Sequence, residues 1–239
     1  MAEGLFNLGS SLTWTPTSAS RGQLVVLADC VEASGAFLVH HFTSLYLKAG
    51  HRVCFVSSVN APDHYAAVGR KLGVNFASYQ TKKQLQVLDW TNLEIGSSRT
   101  DWMPLFEKLQ HFSNESEENA VSIVLDDVST IKWWFGEAAL LDFVRCCKTL
   151  THEKNGGANV VLLTHADTNL AIQRPLNPAL ADMATVVLTT QALTTGYSKD
   201  IHGTLLVSRQ SQSIGNHALD EEPIVIPYKI LENTIKCFR

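Results

Sequence analysis

Apolar runs of strand length alternate with segments of helical period through most of the chain. The runs are continuously apolar, which predicts strands that are covered on both faces, as in a parallel sheet. We expect six such strands, at Leu24–Ala28, Arg52–Ser57, Leu85–Trp90, Ser122–Leu125, Asn159–Thr164 and Thr185–Thr189. The alternation of strand and helix therefore predicts a doubly wound α/β domain with a mostly parallel sheet flanked by helices.

The segments between these runs carry helical signals. The first has apolar residues at helical spacing from Leu38 to Leu45 and stops at Gly50. The second begins at Pro62-Asp63, where proline suits a first turn and aspartate favours the positive end of a helix. Further helices are predicted over about Trp102–Phe112, Gly136–Thr149 and Pro178–Met183.

Past Thr189 the pattern changes to short β-rich pieces separated by glycines. The pieces are Gly203–Arg209, Pro223–Lys229 and Ile230–Phe238, with a turn at Glu232-Asn233-Thr234. They predict antiparallel hairpins at the edge of the parallel sheet. Residues 1–21 are rich in Ser, Thr and Gly, so we expect a loosely ordered lead-in over 1–21 and a single domain over 22–239.

Composition and charge restrict the classes of function. The 239 residues are 45% hydrophobic and 18% charged, which fits a compact domain with a sizeable core. The net charge of −4 provides no general attraction for nucleic acid, so any RNA contact must be local or shared with a partner. Five cysteines without C-x-x-C spacing indicate a reducing compartment. We find neither a secretory signal nor a run of the roughly 20 apolar residues that cross a bilayer, and expect no membrane partner.

The first strand, the connection after it and the helix behind it have the layout of a phosphate-binding P-loop. In the pattern G-x-x-x-x-G-K-[ST], backbone N–H groups face phosphate, the lysine neutralises charge and the hydroxyl binds magnesium. Aligned on Gly35, the first glycine position holds Cys30, the lysine position Ala36 and the hydroxyl position Phe37. The alternative is an ordinary strand-to-helix turn, with Ser34 as a cap and Gly35 permitting close packing. We therefore expect no standalone nucleotide binding by this degenerate loop.

The strand Ile123-Val124-Leu125 ends in two carboxylates, Asp126 and Asp127. In P-loop enzymes a carboxylate at this place supports the magnesium bound to the nucleotide. A carboxylate at a strand end also caps the turn or helix that follows. The order of the degenerate loop and the Asp-Asp strand indicates an ATPase-type core, but does not replace the missing lysine.

Other candidate chemistry is weaker. The nine histidines show no metal-ligand spacing, although His165 follows a strand and could sense a ligand at the carboxyl edge of the sheet. We find no G-x-S-x-G elbow and no cysteine in a nucleophile context. The loop predicted at Ile131–Phe135 combines a lysine with three aromatics and could stack on bases, but we favour burial in the core or an interface.

At closer range, parts of the chain resemble one family. The order of elements, the degenerate loop and the Asp-Asp strand resemble a RecA-like ATPase domain, and within that class the chain is similar to the Elongator complex protein 6 family. The strings that carry this similarity are Gly35–Phe42, Tyr46–Ala49, Val53–Val56, Lys71–Val74, Leu125-Asp126-Asp127, Thr195-Gly196 and Asp200–Gly203. The similarity extends over most of the chain from about Arg21 and is weakest over residues 1–21 and 91–119, whose roles stay open.

The resemblance implies a non-catalytic subunit of a hetero-hexameric ring, built with the fourth and fifth Elongator subunits. That family's ring binds tRNA and supports modification of the wobble uridine. The residues themselves predict no metal and no cofactor held by this chain, while the resemblance leaves ATP open at ring interfaces. We expect a location in cytoplasm and nucleus. In such a ring the loops at about Thr130–Gly136 and Ala166–Asn177 would face the centre, so we predict that Lys132 and Arg174 contact tRNA.

Two other functions remain open from the sequence. One is a divergent standalone P-loop ATPase related to recombinases, which would be stabilised by nucleotide as an isolated chain. The other is an inactive P-loop adaptor in a different complex.

Overall fold

The computed structural model describes residues 15–90, 101–115, 119–152, 157–166, 176–196, 198–209, 223–232 and 234–238. Within these ranges the strands are β1 (Leu24–Asp29), β2 (Arg52–Ser57), β3 (Leu85–Asp89), β4 (Val121–Leu125), β5 (Asn159–His165), β6 (Val186–Gln191), β7 (Gly203–Arg209), β8 (Ile224–Ile230) and β9 (Ile235–Cys237). The helices are α1 (Ala36–Lys48), α2 (Pro62–Lys71), α3 (Phe76–Thr81), α4 (Met103–Asn114), α5 (Ser129–Phe135), α6 (Glu137–Thr149) and α7 (Pro178–Met183).

The strands of the described ranges form one sheet in the order β3-β2-β4-β5-β1-β6-β7-β8-β9. The strands from β3 to β6 in this order are parallel, and β7, β8 and β9 add antiparallel pairings at one side. The predicted α/β class, with a mostly parallel sheet and C-terminal antiparallel hairpins, is confirmed. The division into a lead-in of residues 1–21 and a domain of residues 22–239 stays a prediction, and residues 1–14 lie outside the described ranges.

Alternate residues of the central strand face two separate cores. On one face, Val25 and Leu27 belong to a buried cluster that includes Phe42 of α1. On the other face, Leu24 and Val26 belong to a cluster with the buried residues of α4 and α6. Helices therefore cover both faces, which explains why β1 is apolar at consecutive positions and why its six residues are buried.

The segment after the Asp-Asp strand is a helix, so the expectation of a loop over about Thr130–Gly136 is wrong. The Asp127 side chain starts α5 by accepting a hydrogen bond from the Ser129 N–H (2.7 Å). The Thr130 hydroxyl also donates to the Asp127 carbonyl (3.2 Å). The helix ends at Gly136, whose φ of 89° suits glycine. The helix is short and rich in aromatic residues, so its start was not evident from the sequence.

A second short helix, α3, was not predicted. It begins after Asn75, whose side chain accepts a hydrogen bond from the Ser78 N–H (3.4 Å). Its six residues are too few for a helical period to emerge from the sequence, so the capping asparagine is the available signal.

Candidate functional site

The carboxyl ends of four parallel strands bring the candidate residues to one edge of the sheet. Asp29 ends β1, Ser58 follows β2, Asp126 follows β4, and His165 ends β5. In open α/β sheets this edge is where ligands bind. We refer to these residues, together with Asp127, as the carboxyl-edge cluster.

The degenerate loop makes a tight connection from β1 to α1. The Ala33 N–H donates to the Cys30 carbonyl (3.1 Å), and the Thr190 hydroxyl of β6 donates to the Ala33 carbonyl (2.6 Å). Gly35 precedes the first helical residue, and a Cβ added there would lie 3.1 Å from both the Asp29 Cβ and a Leu163 methyl. The glycine therefore permits close packing of the loop on β1 and β5.

Ala36 and Phe37 stand at the positions of the missing P-loop lysine and hydroxyl. Ala36 is exposed at the first turn of α1 and offers no charge to a phosphate. The ring of Phe37 lies 5.0 Å from that of Tyr228, measured between centroids. The residue at the hydroxyl position therefore packs α1 against the C-terminal β8.

A carboxylate occupies the N-terminus of α1. One oxygen of Asp29 accepts a hydrogen bond from the Gly35 N–H (2.7 Å), and its other oxygen lies 2.5 Å from Nδ1 of His165. In P-loops, backbone N–H groups at this place face phosphate. Here the protein supplies its own anion, which would repel a second one.

His165 bridges two carboxylates. Its Nδ1 contacts Asp29, and its Nε2 lies 3.3 Å from an oxygen of Asp127. The hydrogen bonds to Asp127 and Asp29 raise the pKa of His165 to about 10, against an opposing effect of burial. The imidazole is therefore a cation at neutral pH, although half of its side chain is exposed. It offsets part of the negative charge of Asp29 and Asp127 from within the chain.

Asp126 ties the end of β4 to the end of β2. Its carboxylate accepts hydrogen bonds from the backbone N–H groups of Ser58 (2.8 and 2.9 Å) and Val59 (3.1 Å), from the Ser58 hydroxyl, and from the Tyr65 hydroxyl (2.5 Å). Burial raises the pKa of Asp126, while these hydrogen bonds oppose the rise. Burial and the Asp126 carboxylate also raise the pKa of Tyr65. Each oxygen of Asp126 is engaged within the protein.

Of the two predicted RNA contacts, the structure describes Lys132 but not Arg174. Lys132 lies on α5, with its ammonium 3.4 Å from a carboxylate oxygen of Glu137. Arg174 lies outside the described residues. Both stay predictions. In the same helix Ile131 is buried and Trp133 is 84% exposed, so the aromatic segment serves both the core and the surface.

The cluster can hold charge and hydrogen bonds within the chain, but it presents no assembled metal centre. Among the described residues no group of three or more His, Cys, Asp or Glu side chains is arranged to hold a metal ion. The helices in those ranges also include none long and apolar enough to cross a membrane. Sequence reasoning missed Asp29, Ser58 and Tyr65. Asp29 could have been found, because it ends an apolar strand just as Asp126 follows one.

The strand order and the strand-loop-helix connection at β1 define a RecA-like α/β domain of the P-loop type. The fold is similar to that of a KaiC-like protein from the hyperthermophilic archaeon Pyrococcus horikoshii, with a TM-score of 0.61 at 15% sequence identity. The similarity covers 92% of this chain and 90% of the archaeal chain, and at this identity it concerns the fold alone.

A family model described as Elongation complex protein 6 matches residues 5–100 and 97–232. Proteins named Elongator complex protein 6 are 31% identical in Xenopus tropicalis, 32% in Rattus norvegicus and 29% in Homo sapiens. Each of these similarities covers 97% of this chain and 95% of the relative. The chain therefore belongs to the Elongator complex protein 6 family, as its sequence strings predicted. That membership makes it an Elongator subunit with other Elongator subunits as partners.

Proposed function

We propose that this subunit is non-catalytic and forms a RecA-like hetero-hexameric ring with the fourth and fifth Elongator subunits. The ring binds tRNA and supports modification of the wobble uridine in the cytoplasm and nucleus. ATP, where the ring binds it, lies at interfaces between subunits. In this proposal the chain is a structural subunit of the ring, and catalysis takes place elsewhere in the complex.

The observation that carries the non-catalytic role is the internal use of the carboxyl-edge cluster. Asp29 and Asp127 share the His165 cation, and Asp126 accepts hydrogen bonds from Ser58, just after β2, and from Tyr65 of α2. Groups that would have to be open to magnesium or phosphate are already engaged. With Ala36 at the lysine position, the edge lacks the charge that a nucleotide needs there.

Exposed apolar side chains near this edge support its burial by a neighbouring subunit. Val31 follows β1 and is 90% exposed, Val59 follows β2 and is 58% exposed, and Trp133 lies on the helix after β4. Tryptophan is enriched among the residues that contribute most to binding at protein interfaces. The same edge that holds the cluster therefore offers a surface for assembly.

Assembly is tested by co-expression with the fourth and fifth subunits, with the mass of the purified species measured by light scattering. We expect a hetero-hexamer, and Val59→Ser to shift it toward smaller species. Val225→Ser is the matched control, since this valine is 56% exposed but lies on β8, six strands away from β2 in the order of the sheet. Failure to co-purify with either subunit would reject the ring, and equal effects of both variants would reject the assembly surface.

Nucleotide binding by the chain alone is tested by thermal unfolding with and without Mg²⁺ and ATP. A ligand at 100 times its Kd stabilises the native state by about 2.7 kcal/mol. We expect no such rise for the isolated chain. A rise that saturates with ATP would instead support the standalone ATPase. Imaging of a tagged chain tests the proposed distribution between cytoplasm and nucleus.

A further inference from the structure

Three buried polar side chains lie at the amino ends of the central strands, at the end of the sheet opposite to the carboxyl-edge cluster. His51 precedes β2, Ser122 lies near the start of β4, and Asn159 begins β5. Ser122 and Asn159 have no exposed surface, and His51 is 5% exposed. We refer to these three residues as the amino-edge network. Buried polar groups of this kind require hydrogen-bond partners.

Hydrogen bonds join the network to the segment that precedes β1. The Asn159 Nδ2 group donates to the Ser20 carbonyl (2.8 Å) and to the Ser122 hydroxyl oxygen (3.3 Å). The Asn159 Oδ1 atom accepts a hydrogen bond from the Gln23 N–H (3.2 Å). The Ser122 hydroxyl lies 2.8 Å from Nδ1 of His51. The network therefore connects the backbone before β1 to the histidine before β2.

Backbone groups at one end fix the direction of each hydrogen bond in the network. A peptide N–H can only donate and a peptide carbonyl can only accept, so Oδ1 of Asn159 must face Gln23 and its Nδ2 must face Ser20. Because Nδ2 also donates to the Ser122 oxygen, the serine O–H is left to donate to His51. Nδ1 of His51 is then an acceptor, so the imidazole is neutral and carries its proton on Nε2.

The surroundings of His51 also favour the neutral ring. The ring stacks on that of Tyr46 from α1, with centroids 5.2 Å apart, and the uncharged Gln84 before β3 donates to the His51 carbonyl. Within the described ranges no carboxylate contacts the imidazole, and the charged group that acts on it is Arg21. Burial, followed by the positive charge of Arg21, lowers the pKa of His51 from 6.5 to about 4.

Protonation of His51 reverses the last hydrogen bond of the network. With a proton on both ring nitrogens, Nδ1 donates to the Ser122 oxygen, and the serine O–H loses its acceptor. The serine regains an acceptor if the Asn159 amide turns its oxygen toward it. That turn removes the acceptor from the Gln23 N–H and the donor from the Ser20 carbonyl. Protonation therefore either leaves a buried hydroxyl unpaired, which is costly, or frees the backbone before β1.

We infer that the amino-edge network is a proton-sensitive attachment, which holds residues 15–22 on the sheet while His51 is neutral and releases them when His51 is protonated. Because the folded-state pKa of His51 is depressed, the stabilisation is complete above about pH 6.5 and is lost as the pH falls toward 4. The inference concerns contacts within this chain and does not depend on the proposed ring.

Hydrogen exchange with mass spectrometry at pH 7.5 and pH 5.5 tests the attachment, in the chain or in its complex with partner subunits. The reporters are the Gly22 N–H, which donates to the Gly157 carbonyl, and the Gln23 N–H. After correction for the intrinsic rate, we expect exchange of the peptide covering residues 15–24 to rise about 10-fold at pH 5.5, since release returns the pKa of His51 from about 4 to about 6.5. The peptide covering β6 is the reference for unfolding of the whole domain and should exchange more slowly at both pH values.

Two variants separate protonation from packing. In His51→Asn the amide oxygen can take the place of Nδ1 as an acceptor and does not titrate, so exchange over residues 15–24 should be the same at both pH values. Ser122→Ala interrupts the network between His51 and Asn159 and should likewise abolish the increase. His111→Asn is the control, because His111 is a 77% exposed histidine on α4 and should leave the increase intact.

Three results would reject the attachment. The first is exchange over residues 15–24 in wild type that does not rise at pH 5.5. The second is an undiminished increase in His51→Asn or Ser122→Ala. The third is equally fast exchange of β6 and of residues 15–24 at pH 5.5, which would indicate unfolding of the whole domain instead of local release.

Discussion

The hydrogen bonds that converge on Asp126 predict that this residue stabilises the fold and does not serve nucleotide chemistry. Asp126→Ala would remove the acceptor for the backbone N–H groups of Ser58 and Val59 and for the hydroxyls of Ser58 and Tyr65. The Ser58 hydroxyl keeps the Asp127 carbonyl as an acceptor (2.8 Å), so the other three donors would be left without this acceptor at a site where the carboxylate itself is 4% exposed. We expect the free energy of unfolding to fall markedly.

The magnitude follows from the number and kind of the bonds. A hydrogen bond to a charged group contributes about 1.5–3 kcal/mol, and loss of one partner from a buried charged arrangement costs about 3–5 kcal/mol. Ser58 is partly exposed and water can replace some of the lost bonds, so we expect about 3–5 kcal/mol in total. For a chain of this size, that corresponds to a fall in unfolding temperature of roughly 6–20 °C.

The assay is thermal or urea unfolding of the chain, in complex with its partners if the isolated chain does not stay in solution. Asp142→Ala is the matched control, because Asp142 is an exposed carboxylate that pairs with Arg145 on the same helix and should change stability by less than about 1 kcal/mol. Tyr65→Phe, which removes one donor, should cost about 1–2 kcal/mol and be less than additive with Asp126→Ala. Unfolding of Asp126→Ala within 1 °C of wild type would refute the structural role.

Two further outcomes follow from the structure. The folded-state pKa of His165 is raised above its unfolded value of about 6.5, so its stabilisation is complete below pH 6.5 and is lost as the pH rises toward 10. Because the side chain is half exposed, we expect this pH dependence to change the free energy of unfolding by about 1 kcal/mol. The urea midpoints of His165→Asn at pH 6 and pH 9.5 should therefore differ less than those of wild type. Equal differences for the two proteins would contradict the bridge. Gly203→Ala would place a Cβ 2.6 Å from the Gln191 carbonyl oxygen and 2.8 Å from the Tyr228 hydroxyl, so we expect a loss of about 1–3 kcal/mol in unfolding experiments. Ser208→Ala on the same strand should lie within about 0.5 kcal/mol of wild type, and a similarly small change for Gly203→Ala would show that the strand shifts freely.

The parts of the fold that the sequence predicts well are those where burial acts on both faces of a strand. Continuous apolar runs located β1 and β2 because helices cover both sides of each, and glycine-separated pieces located β7 and β8. The helices α3 and α5 escaped prediction because six or seven residues are too few to show a helical period. The side chains that accept hydrogen bonds at their starts, Asn75 and Asp127, act locally, whereas the aromatic residues of α5 give a pattern that suggests a loop or an interface.

The sequence predicts which groups of a working P-loop this site lacks, but not which side chains of the site contact one another. Ala36 and Phe37 showed from sequence alone that lysine and hydroxyl are missing. The partners of the remaining carboxylates were not visible, since Asp29 and His165 are separated by 136 positions and meet through the pairing of β1 with β5. Neither a charge pattern nor a spacing rule identifies such a bridge before the order of strands is known.

The place of β1 in the sheet has a consequence for how the protein is made. Its neighbours are encoded far downstream, since Leu24 pairs with Val160 of β5 and Val25 with Val186 of β6. At about 5–20 residues per second, roughly 7–26 s of synthesis separate the end of β1 from the start of β5, the first of its two neighbours to be made. For that time a strand that is buried in the finished fold has neither hydrogen-bonding neighbour and can pair with other chains. The yield of folded subunit in a cell should therefore depend on how fast translation finishes, in addition to the stability of the final structure.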